Sequence, residues 1–382
     1  MGTAKRLPVS FLLMLLGIIC LSLALHYWLS DRNAVMRALF TVQAPIARLS
    51  AKCSEGAPDW LGEMTSHGIV RLKALSTQVA FVDEQGKLSH CETGWKSTML
   101  LSEMVDQDTR FRYGSLTKPI TAAKVLDLVK EEKLTLQSAL DDLFSMPEGT
   151  GSVGDVTVGQ LLSHRSGIRG QIFVNNMTPV CPYALSDLIS SGNVGSVGDF
   201  QYSNLGYCIL GEVIAVATGR SYRSAVESSY YLSERNIGYV QYDEAVDEVE
   251  RDFRFNDFYG RNLKGRFDYD AISSTAGMSG SASAYALLLR DLIKGAAPDF
   301  FYSGDCDSSV FKKCYGYAFY EYSPVSEKAY QIKEGYLPGA SGVAVINENR
   351  EIFVWLGNSD TDNAAAGQNM KGFLAELAKT RF

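Results

Sequence analysis

The stretch Asp108-Thr109-Arg110-Phe111-Arg112-Tyr113-Gly114-Ser115-Leu116-Thr117-Lys118-Pro119 decides how the rest of this chain is read. A polar run enters an extended Phe-Arg-Tyr segment, pauses at Gly114, and sets Ser115 three residues before Lys118. Beyond Pro119 lies Ile-Thr-Ala-Ala-Lys-Val-Leu-Asp-Leu-Val, with apolar residues at helical spacing. Proline is tolerated in the first turn of a helix, which places Ser115 at a helix N-terminus. Positions i and i+3 share a helix face, so the Ser115 hydroxyl and the Lys118 amine can meet. A hydroxyl is a poor nucleophile until a base takes its proton, and a lysine with a depressed pKa can be that base. The helix N-terminus adds positive potential and free N–H groups. The spacing alone is a weak signal, because Ser309-Val-Phe-Lys312 also fits it with no helix start behind.

The rest of the chain bounds the chemistry. At 382 residues it can bury a substantial core. A net charge of −7 and a pI near 5.3 argue against nucleic acid as a partner. Four histidines, with no HxxxH or CxxC pattern, argue against a zinc site. Lys5 and Arg6 precede Leu7 to Leu29, about 23 mostly apolar residues, long enough to cross a hydrocarbon core of ~30 Å. No small-residue cleavage site follows, so residues 1–30 read as an uncleaved signal anchor. The basic end stays inside, and the body faces outward from a single pass through the inner (cytoplasmic) membrane, into the periplasm. Cys53, Cys91, Cys181, Cys208, Cys306 and Cys314 agree, since an even number in an exported body reads as disulfides. Nearest-neighbour pairing is the expectation, with Cys306–Cys314 the safest pair.

Residues 31–75 read as a helical lead-in and a mixed segment. Ser76 to Asp83 and Lys87 to Gly94 read as a β-hairpin, and Val343 to Ile346 and Ile352 to Leu356 as strands. Tyr315 to Tyr322 and Lys328 to Lys333 are further strands, the second ending in Lys333-Glu334-Gly335. Helix signals dominate from Ser115 to about residue 230, Thr157 is a candidate N-cap, and residues 364–380 form a closing helix. Residues 230–270 are dense in Tyr, Phe, Arg and acids; they read as an ordered insertion, its acidic run a solvated helix face and its surface a possible protein-partner site. Strands early, helices in the middle and strands late give an α+β fold: an antiparallel sheet flanked by helices, with an all-helical lobe inserted. Residues 31–382 form one catalytic unit, with a sheet lobe at about 60–114 and 271–382 and a helical lobe at about 115–270.

Two further elements join the first. Tyr202-Ser-Asn204 opens a helix after a Gly-rich loop, and a tyrosine near two lysines is a candidate proton shuttle with a lowered pKa. Asn204 can bond both a lysine and a substrate amide. Lys333 puts a cation at a strand end where Gly335 lets substrate approach the backbone. In this order, and with the flanks Leu161-Leu-Ser-His-Arg-Ser-Gly, Tyr202-Ser-Asn-Leu-Gly-Tyr and Gly335-Tyr-Leu-Pro-Gly, the chain resembles the serine β-lactamase and penicillin-binding-protein superfamily, class C and esterase-like branch. The resemblance covers roughly residues 75–375.

It implies a β-lactamase/transpeptidase-like fold with Ser115 as the acylated nucleophile and Lys118 as its base. It implies that Tyr202 protonates the leaving group and helps activate the deacylating water, that Asn204 orients Lys118 and substrate, and that Lys333 adds positive potential. The N–H groups of Ser115 and Tyr336 become the oxyanion hole, with Glu334 and Gly335 beside the substrate. It calls for no metal or organic cofactor, and it makes the His164 segment structural. Glu334 departs from the family, which usually has Thr or Ser there, and a second anion beside Lys333 disfavours a carboxylate-bearing substrate. The expected function is an anchored, outward-facing serine hydrolase of amide or peptide substrates of the cell-wall type, D-Ala peptides or β-lactams. The rivals are a carboxylesterase with the same site and a non-catalytic anchored binding protein.

Overall fold

The computed structural model describes residues 8–98, 102–146, 151–169, 173–174, 178–179, 194–241, 245–255, 269–295, 300–301, 306–325, 328–359 and 368–382. Its centre is an antiparallel sheet of eight strands: β1 (Lys52–Cys53), β2 (Thr77–Val82), β3 (Leu88–Thr93), β4 (Cys314–Tyr315), β5 (Tyr320–Val325), β6 (Lys328–Leu337), β7 (Ala340–Ile346) and β8 (Ile352–Gly357). The spatial order is β1-β3-β2-β8-β7-β6-β5-β4. The two chain segments meet where β2 pairs with β8, Thr77 opposite Gly357 and Val82 opposite Ile352.

Side-chain alternation along β7 shows why its sequence is apolar from Val343 to Ile346. Val343 and Val345 pack on the face covered by the helices Asp59–Leu72 and Gln368–Leu377, with Met64, Trp355 and Phe373. Ala344 and Ile346 face the other way, toward the helix Ala282–Gly295 and the helical layer beyond it. Both faces are dry over this stretch, so both sets of alternating positions are apolar, and the one polar residue of β7, Ser341, is buried with its hydroxyl donating to Ser359 O.

Two strands run differently from the sequence reading. The segment from Tyr315 to Tyr322 is broken by a tight turn in which Gly316 N–H donates to Phe319 O at 2.8 Å. Strand β6 does not stop at Lys333 but continues to Leu337, paired with β7 through Leu337 and Ala340. Between Leu134 and Leu143, where helix signals also dominate the sequence, only Leu140–Leu143 is helical. Thr157 does cap its helix, accepting from Gln160 N–H at 3.3 Å. Cys53–Cys91 and Cys306–Cys314 are disulfides. Cys208 is disulfide-bonded too, and its expected partner Cys181 lies outside the described residues.

The acidic run is corrected. Residues 245–252 form an irregular segment with isolated bridges at Glu248 and Asp252, not a helix, and their carboxylates are not all solvated. Glu248 and Arg112 form an ion pair buried on both sides, and Arg112 also donates to Gln241 O at 3.1 Å. Asp252 is buried against Arg254 at 2.7 Å. The cause is non-local: Arg112 lies on the short strand Phe111–Arg112, which pairs with Met278–Gly280 and must be neutralised inside. Residues 256–268 of the insertion lie outside the described residues.

The helix Val9–Ser30 is long and apolar enough to cross a membrane, with a mean hydropathy of 2.4 and none of that stretch buried. After Asp31 the helix Arg32–Leu49 docks on the body through Met36, Phe40, Ala44 and Ala47.

Glu248→Ala leaves the Arg112 guanidinium buried without its counter-charge, and is expected to lower unfolding free energy by about 3–5 kcal/mol. Chemical unfolding followed by tyrosine and tryptophan fluorescence checks this; a change within experimental error would mean that Arg112 does not depend on Glu248 for neutralisation.

Candidate active site

From Phe111 to Leu126 every residue is buried except Ser115, which is half-buried. The local fold produces this. Tyr113 N–H donates to Met278 O at 2.9 Å, then Gly114–Leu116 form a single 3-10 turn that leads into the helix Thr117–Lys130. Strand β6 crosses directly over this turn. A Cβ on Gly335 would fall 1.9 Å from Tyr113 O, and one on Gly114, whose φ is +54°, would fall 2.6 Å from Tyr336 N. Glycine at both positions is what lets the Ser115 turn and the Tyr336 backbone lie in contact.

The Lys118 amine is the meeting point. It lies 2.9 Å from Ser115 Oγ, 2.8 Å from Asn204 Oδ1 and 2.9 Å from the backbone oxygen of Thr275. Lys118 is 0% exposed. Burial, reinforced by the nearby charge of Lys333, holds its pKa well below the ordinary lysine value. A neutral amine fits the geometry: two hydrogens go to the oxygens of Asn204 and Thr275, and the lone pair is left for the Ser115 proton. Asn204 is free for this because Ser203 caps the helix Asn204–Thr218, accepting from Gly206 N–H at 3.1 Å.

Tyr202 hydrogen-bonds Ser115 through its hydroxyl, and its ring lies 5.1 Å from the Lys118 amine and 5.0 Å from that of Lys333. The expectation of a lowered pKa is corrected. The residue is 41% exposed, but the hydroxyl end is enclosed. Burial pushes its pKa up, more than the bond from Ser115 lowers it, and the charge of Glu334 adds to the rise. Tyr202 is thus a neutral phenol, able to give a proton rather than take one.

Lys333 donates to the Tyr315 hydroxyl at 2.7 Å and is itself buried, with a pKa well below the ordinary value. Burial is the main cause, opposed by the charge of Glu334. Glu334 points to the opposite face of β6, as strand alternation requires. There it pairs with Lys312 at 2.5 Å and accepts from the Tyr336 hydroxyl at 3.0 Å. Its carboxylate is therefore turned from Ser115, unlike the substrate-flanking position read from the sequence. Lys312 belongs to the second Ser-x-x-Lys match, so that match supplies the counter-ion of Glu334. The pairing of β6 with β5 ends at the Tyr320–Ile332 register, and the stretch of β6 that follows packs through Gly335 against the Ser115 turn.

His164 is not a base for Ser115. Its Nδ1 accepts from Ser203 N–H at 3.2 Å, and its ring packs 4.2 Å from that of Tyr202. Burial, with Lys333 and Lys118 nearby, holds it neutral. Thr275 and Tyr315 carry no motif in the sequence, and Lys312 reads there only as part of the second Ser-x-x-Lys match. Thr275 acts through a backbone oxygen, which leaves no side-chain signal; the nearest hint was the Ala276-Gly-Met-Ser-Gly run just after it.

These observations agree with the comparisons. The family model described as Beta-lactamase matches residues 90–375, and the chain belongs to that family. The probable fimbrial assembly protein FimD, serogroup H1, of Dichelobacter nodosus is 32% identical over 367 residues, covering 93% of this chain and 92% of that protein. Penicillin-binding protein 4 of Amycolatopsis lactamdurans is 30% identical over 133 residues, 33% of this chain and 35% of that one. Among solved structures, a class C beta lactamase from Rhodobacter sphaeroides has TM-score 0.65 at 18% identity, covering 84% of this chain and 100% of its own. A D-amino acid amidase from Ochrobactrum anthropi SV3 has TM-score 0.67 at 15% identity, covering 84% and 97%. These structural likenesses establish the β-lactamase/transpeptidase fold, an antiparallel sheet with helices.

Lys118→Met is expected to slow acylation of the chain by an activated ester about 10²–10⁴-fold, the usual weight of a general base, without lowering the unfolding midpoint. Only the unprotonated amine can take the serine proton. The wild-type rate should therefore rise with pH through the depressed Lys118 pKa and level off before 10.5, the ordinary lysine value. Stopped-flow rates across pH check both; an unchanged rate in Lys118→Met removes it as the base.

Proposed function

We propose that this chain is a membrane-anchored, extracytoplasmic serine hydrolase that forms an acyl-enzyme on Ser115 with amide or peptide substrates of the cell-wall type. The observation that carries this reading is the buried Lys118 amine 2.9 Å from Ser115 Oγ, with the Tyr202 hydroxyl on the same oxygen. Ser115 Oγ attacks the carbonyl carbon while Lys118 takes its proton. The oxyanion is received by the N–H groups of Ser115 and Tyr336, which the glycine contacts bring together. Tyr202 gives a proton to the departing amine, and water then cleaves the ester with the same groups in reverse.

Two features favour amides and peptides over simple esters. An extended substrate can lie beside strand β6 past Ile332, where its pairing with β5 ends. Glu334, neutralised by Lys312 on the far face, does not oppose a substrate carboxylate, while Lys333 remains on the Ser115 face. The amidase named among the structural neighbours acts on related bonds, which supports the same class. The apolar helix Val9–Ser30, the basic Lys5 and Arg6 and the disulfides support an inner-membrane anchor with the body outside.

A second reading, an anchored assembly factor that binds partners without hydrolysis, is favoured by the fimbrial assembly names of the relatives. Residues 230–270 are the proposed partner surface in that case. Intact mass spectrometry separates the two. The full chain, exposed to penicillin, a D-Ala-D-Ala peptide, a D-amino acid amide, a short ester and a fluorophosphonate, should gain one adduct that Ser115→Ala does not. A wild type that stays unmodified by all five supports the assembly reading. Rapid turnover of the ester alone would move the substrate class to carboxylic esters.

A further inference from the structure

The helix Arg32–Leu49 has two kinds of exposed side. Arg37, Thr41 and Arg48 lie along one line of it. Along another, the exposed residues are Ala38, Leu39, Val42, Pro45, Ile46 and Leu49, with no charge among them. Leu49 is 87% exposed and Val42 60%. The remaining side is already occupied by the catalytic body. Phe40 packs edge-on against Phe255 with ring centroids 5.0 Å apart, Arg254 donates to Met36 O at 3.0 Å, and Arg37 donates to Arg254 O at 2.9 Å. The apolar face is therefore not left over from a loose helix. It belongs to a firmly held one, and nothing described in the structure covers it.

What covers it follows from where it starts. The preceding helix, Val9–Ser30, is the apolar one, and a single residue, Asp31, separates the two. Asp31 is non-helical, with φ −145° and ψ 76°, so the chain changes direction there. Its carboxylate then caps the second helix by accepting from Ala34 N–H at 2.9 Å. At this junction Trp28 carries the Arg32 guanidinium 4.8 Å above its ring, an aromatic and a cation of the kind that sit at headgroup level. A second copy is a poorer occupant. The face is a broad band of six residues rather than a narrow coiled-coil seam, short of the ~20–30 residues a side of a stable interface.

We propose that the helix Arg32–Leu49 lies in the headgroup–acyl boundary of the bilayer, with Leu39, Val42, Ile46 and Leu49 in lipid and the catalytic body fixed to its other side. The Ser115 cleft is then held at a set distance from the membrane, not tethered on a flexible stalk. This rests on the anchor reading of Val9–Ser30, and the test separates the two. The full chain with Cys20→Ser is reconstituted into phosphatidylethanolamine–phosphatidylglycerol vesicles with single nitroxides at Val42→Cys, Leu49→Cys, Leu16→Cys or Asn349→Cys. Collisional relaxation by oxygen reports lipid, and relaxation by a nickel chelate present on both sides reports water.

The expected result is that labels at positions 42 and 49 follow the one at 16, relaxed by oxygen and shielded from the chelate, while position 349 shows the reverse. Chelate access at 42 and 49 with position 16 still shielded overturns the surface proposal and leaves the anchor standing. Chelate access at position 16 overturns the anchor reading, and the proposal with it. Dipolar broadening between labels at position 42 in dilute reconstitutions, or shielding there from both reagents, means protein covers the face and also overturns it. Each labelled protein is included only if its unfolding midpoint matches the parent; two positions on the face guard against one that misfolds.

Discussion

Burying an amine is costly unless its charge is removed or its hydrogens are taken up, and this site is arranged around that constraint at Lys118. Three stretches far apart in sequence converge on one nitrogen: the Ser115 turn, the start of the Asn204 helix and the Thr275 carbonyl. None of these can move without leaving the amine with an open position inside the protein. Lys333, buried nearby, depresses the Lys118 pKa further, so one lysine increases the share of the other that is unprotonated. The same enclosure keeps the Tyr202 phenol protonated. Burial therefore assigns opposite roles to the two partners of Ser115, acceptor to Lys118 and donor to Tyr202.

The sheet supplies the other half of the arrangement. Strand β6 passes over the Ser115 turn in backbone contact with it, the approach that the proposed oxyanion hole requires. Gly114 and Gly335 allow that approach. Alternation along the same strand then sorts two adjacent charged residues, Lys333 to the cleft side and Glu334 to the far face, where Lys312 neutralises it. The Cys306–Cys314 disulfide closes the segment that carries Lys312 and ends next to Tyr315, the partner of Lys333. A short covalent loop thus positions groups on both sides of one strand.

Much of this was legible in the residues. Alternating or continuous apolar runs marked β2, β3, β7 and β8, and the Ser115–Lys118 spacing before an apolar helix marked a pair that the fold does bring to 2.9 Å. What could not be read depended on contacts distant in sequence. Thr275 contributes a backbone oxygen, which any residue would provide. The Tyr202 pKa is set by enclosure rather than by the lysines that suggested it. Glu248 and Asp252 looked like solvent-facing acids because their buried partners, Arg112 and Arg254, are identified only by the fold. Glu334 read as an obstacle in the cleft because the sequence shows adjacency to Lys333 but not the counter-ion on the opposite face.

The claim that everything else depends on is that the Lys118 amine is neutral at the pH where the protein works. It is accessible directly by titrating the full chain with isotopically labelled lysine side chains and following the Lys118 resonance, assigned by its loss in Lys118→Met. The account predicts one lysine signal that titrates well below 10.5 and apart from the surface lysines, shifting when Lys333 is replaced. A Lys118 signal that titrates together with the surface lysines would contradict it.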